Sequence, residues 1–263
     1  MGRLGGRVAI ITGATSGIGE RIAETFVAEG AHVVAAGRRE AEGQALEAKC
    51  GPAMSFIRTD VTNEASVKAM VDHAVARFGR LDCLVNNAGS GSPMVSITEV
   101  TADDFASVFD TNVRGVMFGM KHAAPIMFIQ GSGSIINIAS AAGLRGAFSG
   151  HIYSASKAAV THLSRCVAME ISSRGVRVNT ISPGGILTDI FTKLLGWTGS
   201  RHIGPLVSFG FIRHHSQSDA PGLPTTLPIP QCFLRAIGVD RPCDTPCESL
   251  RLTSRRTRPH RYR

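Results

Sequence analysis

Tyr153 and Lys157 stand four residues apart in the segment Tyr153-Ser-Ala-Ser-Lys157. On a helix that spacing puts a phenol and an amine on one face. An unperturbed phenol titrates near about 10, too high for efficient proton exchange at neutrality. A neighbouring ammonium favours the phenolate and lowers that value. The chemistry such a pair can perform is transfer of a hydroxyl proton. Tyr–Lys pairs at this spacing are common on helices, so the pair alone carries little weight. The chain, however, has only two tyrosines, Tyr153 and Tyr262, and the first follows a strand-and-loop unit. Ser140 ends the apolar run IINIAS, 13 residues before Tyr153.

A second group of residues has the form of an anion cradle. Gly13, Gly17 and Gly19 fall in TGATSGIG, directly after the apolar run 8–11. A glycine-rich turn between a strand and a helix lets backbone N–H groups approach a pyrophosphate, and the helix dipole favours the negative charge. Thr15, Ser16 and Ile18 complete that turn. At the end of the next apolar run, an acidic residue would accept the ribose hydroxyls of NAD. Gly37 stands there instead, followed by Arg38 and Arg39. A guanidinium suits a 2′-phosphate through charge-assisted bonds. NADP(H) is therefore favoured over NAD(H), although no basic residue occupies position 16.

The elements that must position these residues are legible as two alternating patterns. Short apolar runs lie at 8–11, 32–35, 54–58, 83–85, 134–138 and 176–181. Stretches of helical periodicity lie between them, at 19–29, 65–78, 103–129 and 153–174. Repeated strand–helix–strand units predict right-handed crossovers and a doubly wound, Rossmann-like parallel sheet of the α/β class, in a single domain. Runs without polar alternation suit strands covered on both faces. Ligands then bind outside the carboxyl ends of the strands.

In this order and spacing the motifs resemble the short-chain dehydrogenase/reductase family, over about residues 5–195. The resemblance rests on Gly13/Gly17/Gly19, Asp60-Val61, Asn86-Asn87-Ala88-Gly89, Asn112, Ser140, Tyr153/Lys157 and Pro183-Gly184 with Thr188. It implies reversible hydride transfer between a nicotinamide and a secondary alcohol or ketone. Tyr153 would exchange the hydroxyl proton. Ser140 would bind the substrate oxygen, and Lys157 would hold the nicotinamide ribose and lower the Tyr153 pKa. Asn112 would hold a water in a proton relay from Lys157. Asp60 and Val61 would contact adenine, Asn87, Ala88 and Gly89 the adenosine side, and Pro183, Gly184, Ile186 and Thr188 the nicotinamide. It also implies a homodimer through the two long helices, near 103–129 and 153–174. Met117, Met120 and Met127 on the first of them read as core or dimer packing rather than a ligand group.

Composition divides the chain. Residues 1–196 carry a net charge of +2, and residues 197–263 carry +6 with ten Arg, no Lys and eight of the 12 prolines. Relatives in the resembled family continue with a helix and a seventh strand ending near Asp-Gly-Gly; residues 197–263 show neither pattern. They read as an atypical, irregular segment, expected from a shifted reading frame or an equivalent gene-model break near Gly196. An alternative expectation follows, of a dehydrogenase-like protein made inactive or unstable by that segment. The arginines between Arg251 and Arg263 could bind phosphates non-specifically, but they belong to no recognisable module, so nucleic acid is not an expected partner. The six cysteines form no matched CxxC pairs, so no metal is expected. No run reaches membrane-spanning length, and the N-terminus has no signal-like apolar region, which points to a cytoplasmic protein.

Overall fold

The computed structural model describes residues 2–146, 149–184 and 186. The expected loss of a seventh strand and the irregular segment 197–263 fall outside the described residues, as does Thr188.

Six strands form one parallel sheet: β1 (Val8–Thr12), β2 (His32–Gly37), β3 (Met54–Arg58), β4 (Cys83–Asn86), β5 (Gly133–Ile138) and β6 (Val176–Ile181). Their order is β3-β2-β1-β4-β5-β6. The chain winds outward from β1 in one direction, then crosses back to β4 on its other side. A crevice therefore opens at the carboxyl ends of β1 and β4, the switch point of such sheets.

Burial explains why the strands read as unbroken apolar runs. All five residues of β1 are buried. Ala9 and Ile11 join one core, with Val33 and Ala35 of β2, while Ile10 and Val34 join the other. Alternate residues point to opposite faces, and both faces are covered by helices. The first face receives α1 (Gly17–Ala28) and α2 (Glu40–Cys50) through Ile22, Ala23, Phe26 and Leu46. Burial of a side chain such as Phe26 contributes about 1.5–3 kcal/mol. The second face receives α3 (Glu64–Phe78), α5 (Gly115–Gln130) and α6 (His151–Ile171), through residues such as Met70, Met120 and Val160.

The long helix expected at 103–129 is a correction. It is α4 (Ala102–Phe109), then a π-helical turn at Asp110–Arg114, then α5. Apolar periodicity runs through all three pieces, so the break left no pattern in the sequence. Asn112 lies within that turn, fully buried and hydrogen-bonded away from its own helix. A wider turn of this kind commonly marks a functional position. Among the described residues no helix is long and apolar enough to cross a membrane, and no group of three His, Cys, Asp or Glu could hold a metal.

Candidate active site

The glycine turn is stitched to the exit of β4. Asn87 donates its side-chain amide to the carbonyls of Thr12 (2.9 Å) and Gly13 (3.3 Å). The backbone N–H groups of Asn87 and Ala88 donate to the Thr12 hydroxyl at 2.9 and 3.0 Å. Gly13 and Gly17 have φ of 65° and 58°, a region that disfavours any side chain. A Cβ on Gly13 would come within 2.9 Å of the Ala88 Cα, and one on Gly19 would overlap the Gly13 carbonyl and the Asn87 amide. Ser16 precedes α1 in an extended conformation and makes no side-chain cap. The first N–H groups of α1 are thus left without a side-chain acceptor, which suits a phosphate. Ile18 packs against the first core and anchors the turn.

The two arginines expected at the phosphate have separate positions. Arg39 bonds to the Thr15 hydroxyl (3.2 Å) and carbonyl (2.8 Å) and so braces the glycine turn. Arg38 lines a cavity of about 290 Å³ with Arg58, Asp60, Asn63 and Ser66. The Asp60 carboxyl lies below its ordinary value, chiefly through the Thr62 N–H bond, which with the Thr62 hydroxyl and the charges of Arg38 and Arg58 outweighs burial. Gly37 pairs with Arg58 across β2 and β3, and a Cβ on Gly37 would sit 3.0 Å from the Thr15 methyl. Arg58, Asn63 and Ser66 were not singled out from the sequence. Arg58 joins this wall only through strand register, which no local motif encodes. Val61 lies against Gly115 at the start of α5.

Tyr153 is the third residue of α6, and the Ser140 hydroxyl stands near enough to its phenol to favour the phenolate. Ser140 ends the β5 exit and also accepts the Ala142 N–H at 3.2 Å. The Ala141 N–H donates to the Pro183 carbonyl (2.9 Å), so the exits of β5 and β6 run side by side and bring Pro183 and Gly184 to Ser140. Lys157 is 4% exposed, donates to the Ile138 carbonyl at 2.8 Å, and is pushed down to about 8 by burial. Tyr153 moves up, because burial outweighs the Ser140 hydroxyl. That direction is opposite to the expected lowering by Lys157. The ammonium stands 5.7 Å from the phenol ring centroid and is turned toward Ile138.

Asn112 accepts the Ser90 N–H (2.8 Å) and donates to the Ser90 carbonyl and the Ser156 hydroxyl, both at 3.0 Å. A Cβ on Gly89 would lie 3.2 Å from its Oδ1 and 3.4 Å from the Lys157 Nζ. Gly89 is therefore the gap through which Asn112 and Lys157 approach one another. Beside it the Ser90 hydroxyl is buried and makes no hydrogen bond. The structure thus brings Gly13–Gly19, Asn87–Gly89, Asn112, Ser140, Tyr153, Lys157 and Pro183–Gly184 to one end of the sheet; Ile186 continues the β6 exit.

The short chain dehydrogenase family profile matches residues 7–198. Momilactone A synthase of Oryza sativa subsp. japonica is 44% identical over 196 residues, 74% of this chain and 72% of that protein. (+)-Borneol dehydrogenase 2 of Salvia officinalis is 46% identical over 191 residues, covering 72% and 68%. A crystal structure of 3-ketoacyl-(acyl-carrier-protein) reductase from Brucella melitensis complexed with NADH superposes with a TM-score of 0.71 at 32% identity, over 74% of this chain and 82% of that one. Fold, site and relatives agree: the chain is an oxidoreductase of the short-chain dehydrogenase family.

Proposed function

We propose that this chain transfers a hydride between NADP(H) and a secondary alcohol or ketone. The observation that carries the reading is the Tyr153–Ser140 hydroxyl pair, with Lys157 buried one helical turn on, at the same sheet end as the glycine turn. The cofactor, when bound, accepts or supplies the hydride at C4 of its nicotinamide. The glycine turn, from Gly13 through Thr15 and Ser16 to Gly19, takes the pyrophosphate, and Asp60, Val61, Asn87, Ala88 and Gly89 take the adenosine. Pro183, Gly184, Ile186 and Thr188 border the nicotinamide. Tyr153 Oη removes or returns the hydroxyl proton, and Ser140 Oγ donates to the oxygen on which charge develops. Lys157 Nζ holds the nicotinamide ribose. Asn112 keeps its amide on Ser90 and Ser156 and supports the proton path beside Gly89.

NADP(H) is assigned over NAD(H) from the Arg38 side of the cavity. Gly37 offers no carboxylate to the ribose, and Arg38 and Arg58 both face the same space. Substituting Arg38→Ala is expected to weaken NADPH binding about tenfold or more while NADH affinity changes little, since a charge-assisted bond is worth roughly 1.5–3 kcal/mol. Parallel fluorescence titrations check this; equal losses for both cofactors overturn the assignment.

Two further readings belong to the same proposal. Residues 1–196 carry the whole machinery, and residues 197–263 form a shifted-frame segment; the family match ending at residue 198 and the abrupt rise in Arg and Pro support this. The chain pairs as a homodimer through the faces of α4, α5 and α6. Met120 and Met127 are core residues, but Phe105, Met117 and Met169 stay exposed on those helices.

A further inference from the structure

The helix that carries Tyr153 begins without a cap of its own. Its N-cap position is Gly150, which has no side chain to offer the first N–H groups. Such groups are normally satisfied by a Ser, Thr, Asp or Asn at the cap, whose oxygen accepts from the second or third helical residue. Here the third residue is Tyr153. Its N–H is taken by the Ser92 hydroxyl at 3.3 Å, from a loop 61 residues earlier. Ser92 is 6% exposed, so water does not compete freely for that donor. Gly150 makes the approach possible: a Cβ there would overlap the Ser92 hydroxyl and sit 2.6 Å from the Pro93 carbonyl.

Ser92 belongs to a segment fixed at its other end by the site. Asn87 ties that segment to the glycine turn, and Ser90 ties it to Asn112 in the π-helical turn. The segment thus links the cofactor cradle to the backbone of Tyr153. We propose that Ser92 is a positioning residue: its hydroxyl caps α6 from outside the helix and sets where the Tyr153 phenol stands relative to Ser140 and the cofactor turn. The pair Ser92 and Gly150 forms one device, a cap supplied from another loop and the space that admits it. This rests on the assignment of Tyr153 to proton transfer.

Ser92→Ala keeps the loop but removes the acceptor. Ser92→Thr keeps the hydroxyl, and Gly150→Ala blocks the approach while leaving Ser92 in place. Amide exchange of the first turn of α6 reads the cap whether or not the protein turns over. Steady-state kinetics with NADPH read its consequence, since small displacements of a reacting group cost roughly ten- to hundredfold in rate. The expected result is faster exchange of residues 151–154 in Ser92→Ala and Gly150→Ala. A kcat lowered about tenfold at unchanged NADPH affinity should accompany it, with Ser92→Thr close to wild type in both. The double variant should be no worse than either single one, because both break the same contact. Unchanged exchange in Ser92→Ala overturns the proposal, and so does faster exchange with unaltered kcat. A wild-type protein that exchanges slowly at 151–154 yet oxidises or reduces nothing counts against the hydride-transfer reading, while the cap stands.

Discussion

Tyr153→Phe is expected to lower kcat by about a thousandfold, close to 4 kcal/mol in activation free energy. The substitution removes one oxygen and nothing else. Phe fills the same ring volume, so the packing of α6 is kept. Ser140 still accepts the Ala142 N–H. NADPH affinity should therefore stay within about twofold of wild type, and melting temperature should move by no more than a few degrees. In the proposed mechanism the phenol is the proton carrier, so the loss falls on the chemical step. A general acid or base of this kind contributes roughly 10²–10⁴ in rate. Steady-state kinetics on any ketone or alcohol that wild type accepts, with NADPH titration alongside, checks the prediction. Retention of more than a tenth of wild-type kcat would remove Tyr153 from the chemistry.

The second large effect is on Lys157. Lys157→Met keeps an unbranched side chain of similar length and deletes the ammonium. Turnover is expected to fall by roughly 10³-fold in kcat/KM, with cofactor affinity lowered as well, because the amine is proposed to hold the ribose and to support proton transfer. Stability should respond differently. Burial holds the folded Lys157 at about 8, below the unfolded value of 10.5. Between those values the unfolded chain binds more protons than the folded one, so wild-type stability from this group rises with pH from about 8 to 10.5. Below that window the buried ammonium is a net cost. Met removes the cost but leaves the Ile138 carbonyl without its donor, a loss of about 1–3 kcal/mol. At pH 7 the two largely offset. The expected outcome is an inactive protein of near-wild-type stability at pH 7 whose stability no longer climbs above pH 8. Urea unfolding at several pH values reads it; a wild-type slope retained in the variant contradicts the buried-ammonium account.

What could be read from the sequence was whatever depends on local pattern. The strands were visible because both faces of the sheet are covered, which leaves β1 and β2 without polar alternation. The glycine turn, the Asn87 turn, Ser140 and the Tyr153–Lys157 pair were visible because each combines a residue type with a fixed spacing. What escaped was set by tertiary contact. The π-helical turn at Asn112 interrupts a helix whose apolar rhythm continues unbroken. Arg58 reaches the Arg38 cavity only through the register of β3 on β2. Ser92 caps a helix 61 residues away, and Gly150 gave no sign that a cap was missing. The helix α2 was not among the stretches with legible periodicity. It buries only Gly43 and Leu46, so its apolar stripe is faint. Burial, which spacing does not reveal, is what moves Tyr153 up.

The central claim is that this chain holds a phosphorylated nicotinamide cofactor against Tyr153. Titrating NADPH into the purified full chain, followed by nicotinamide fluorescence, tests it most directly. The account predicts saturable binding with a dissociation constant in the range of about 1 µM to 1 mM typical of enzyme ligands, and weaker binding of NADH. Absence of saturable binding to either cofactor would contradict it, leaving a protein with the family's fold and residues but without its cofactor chemistry.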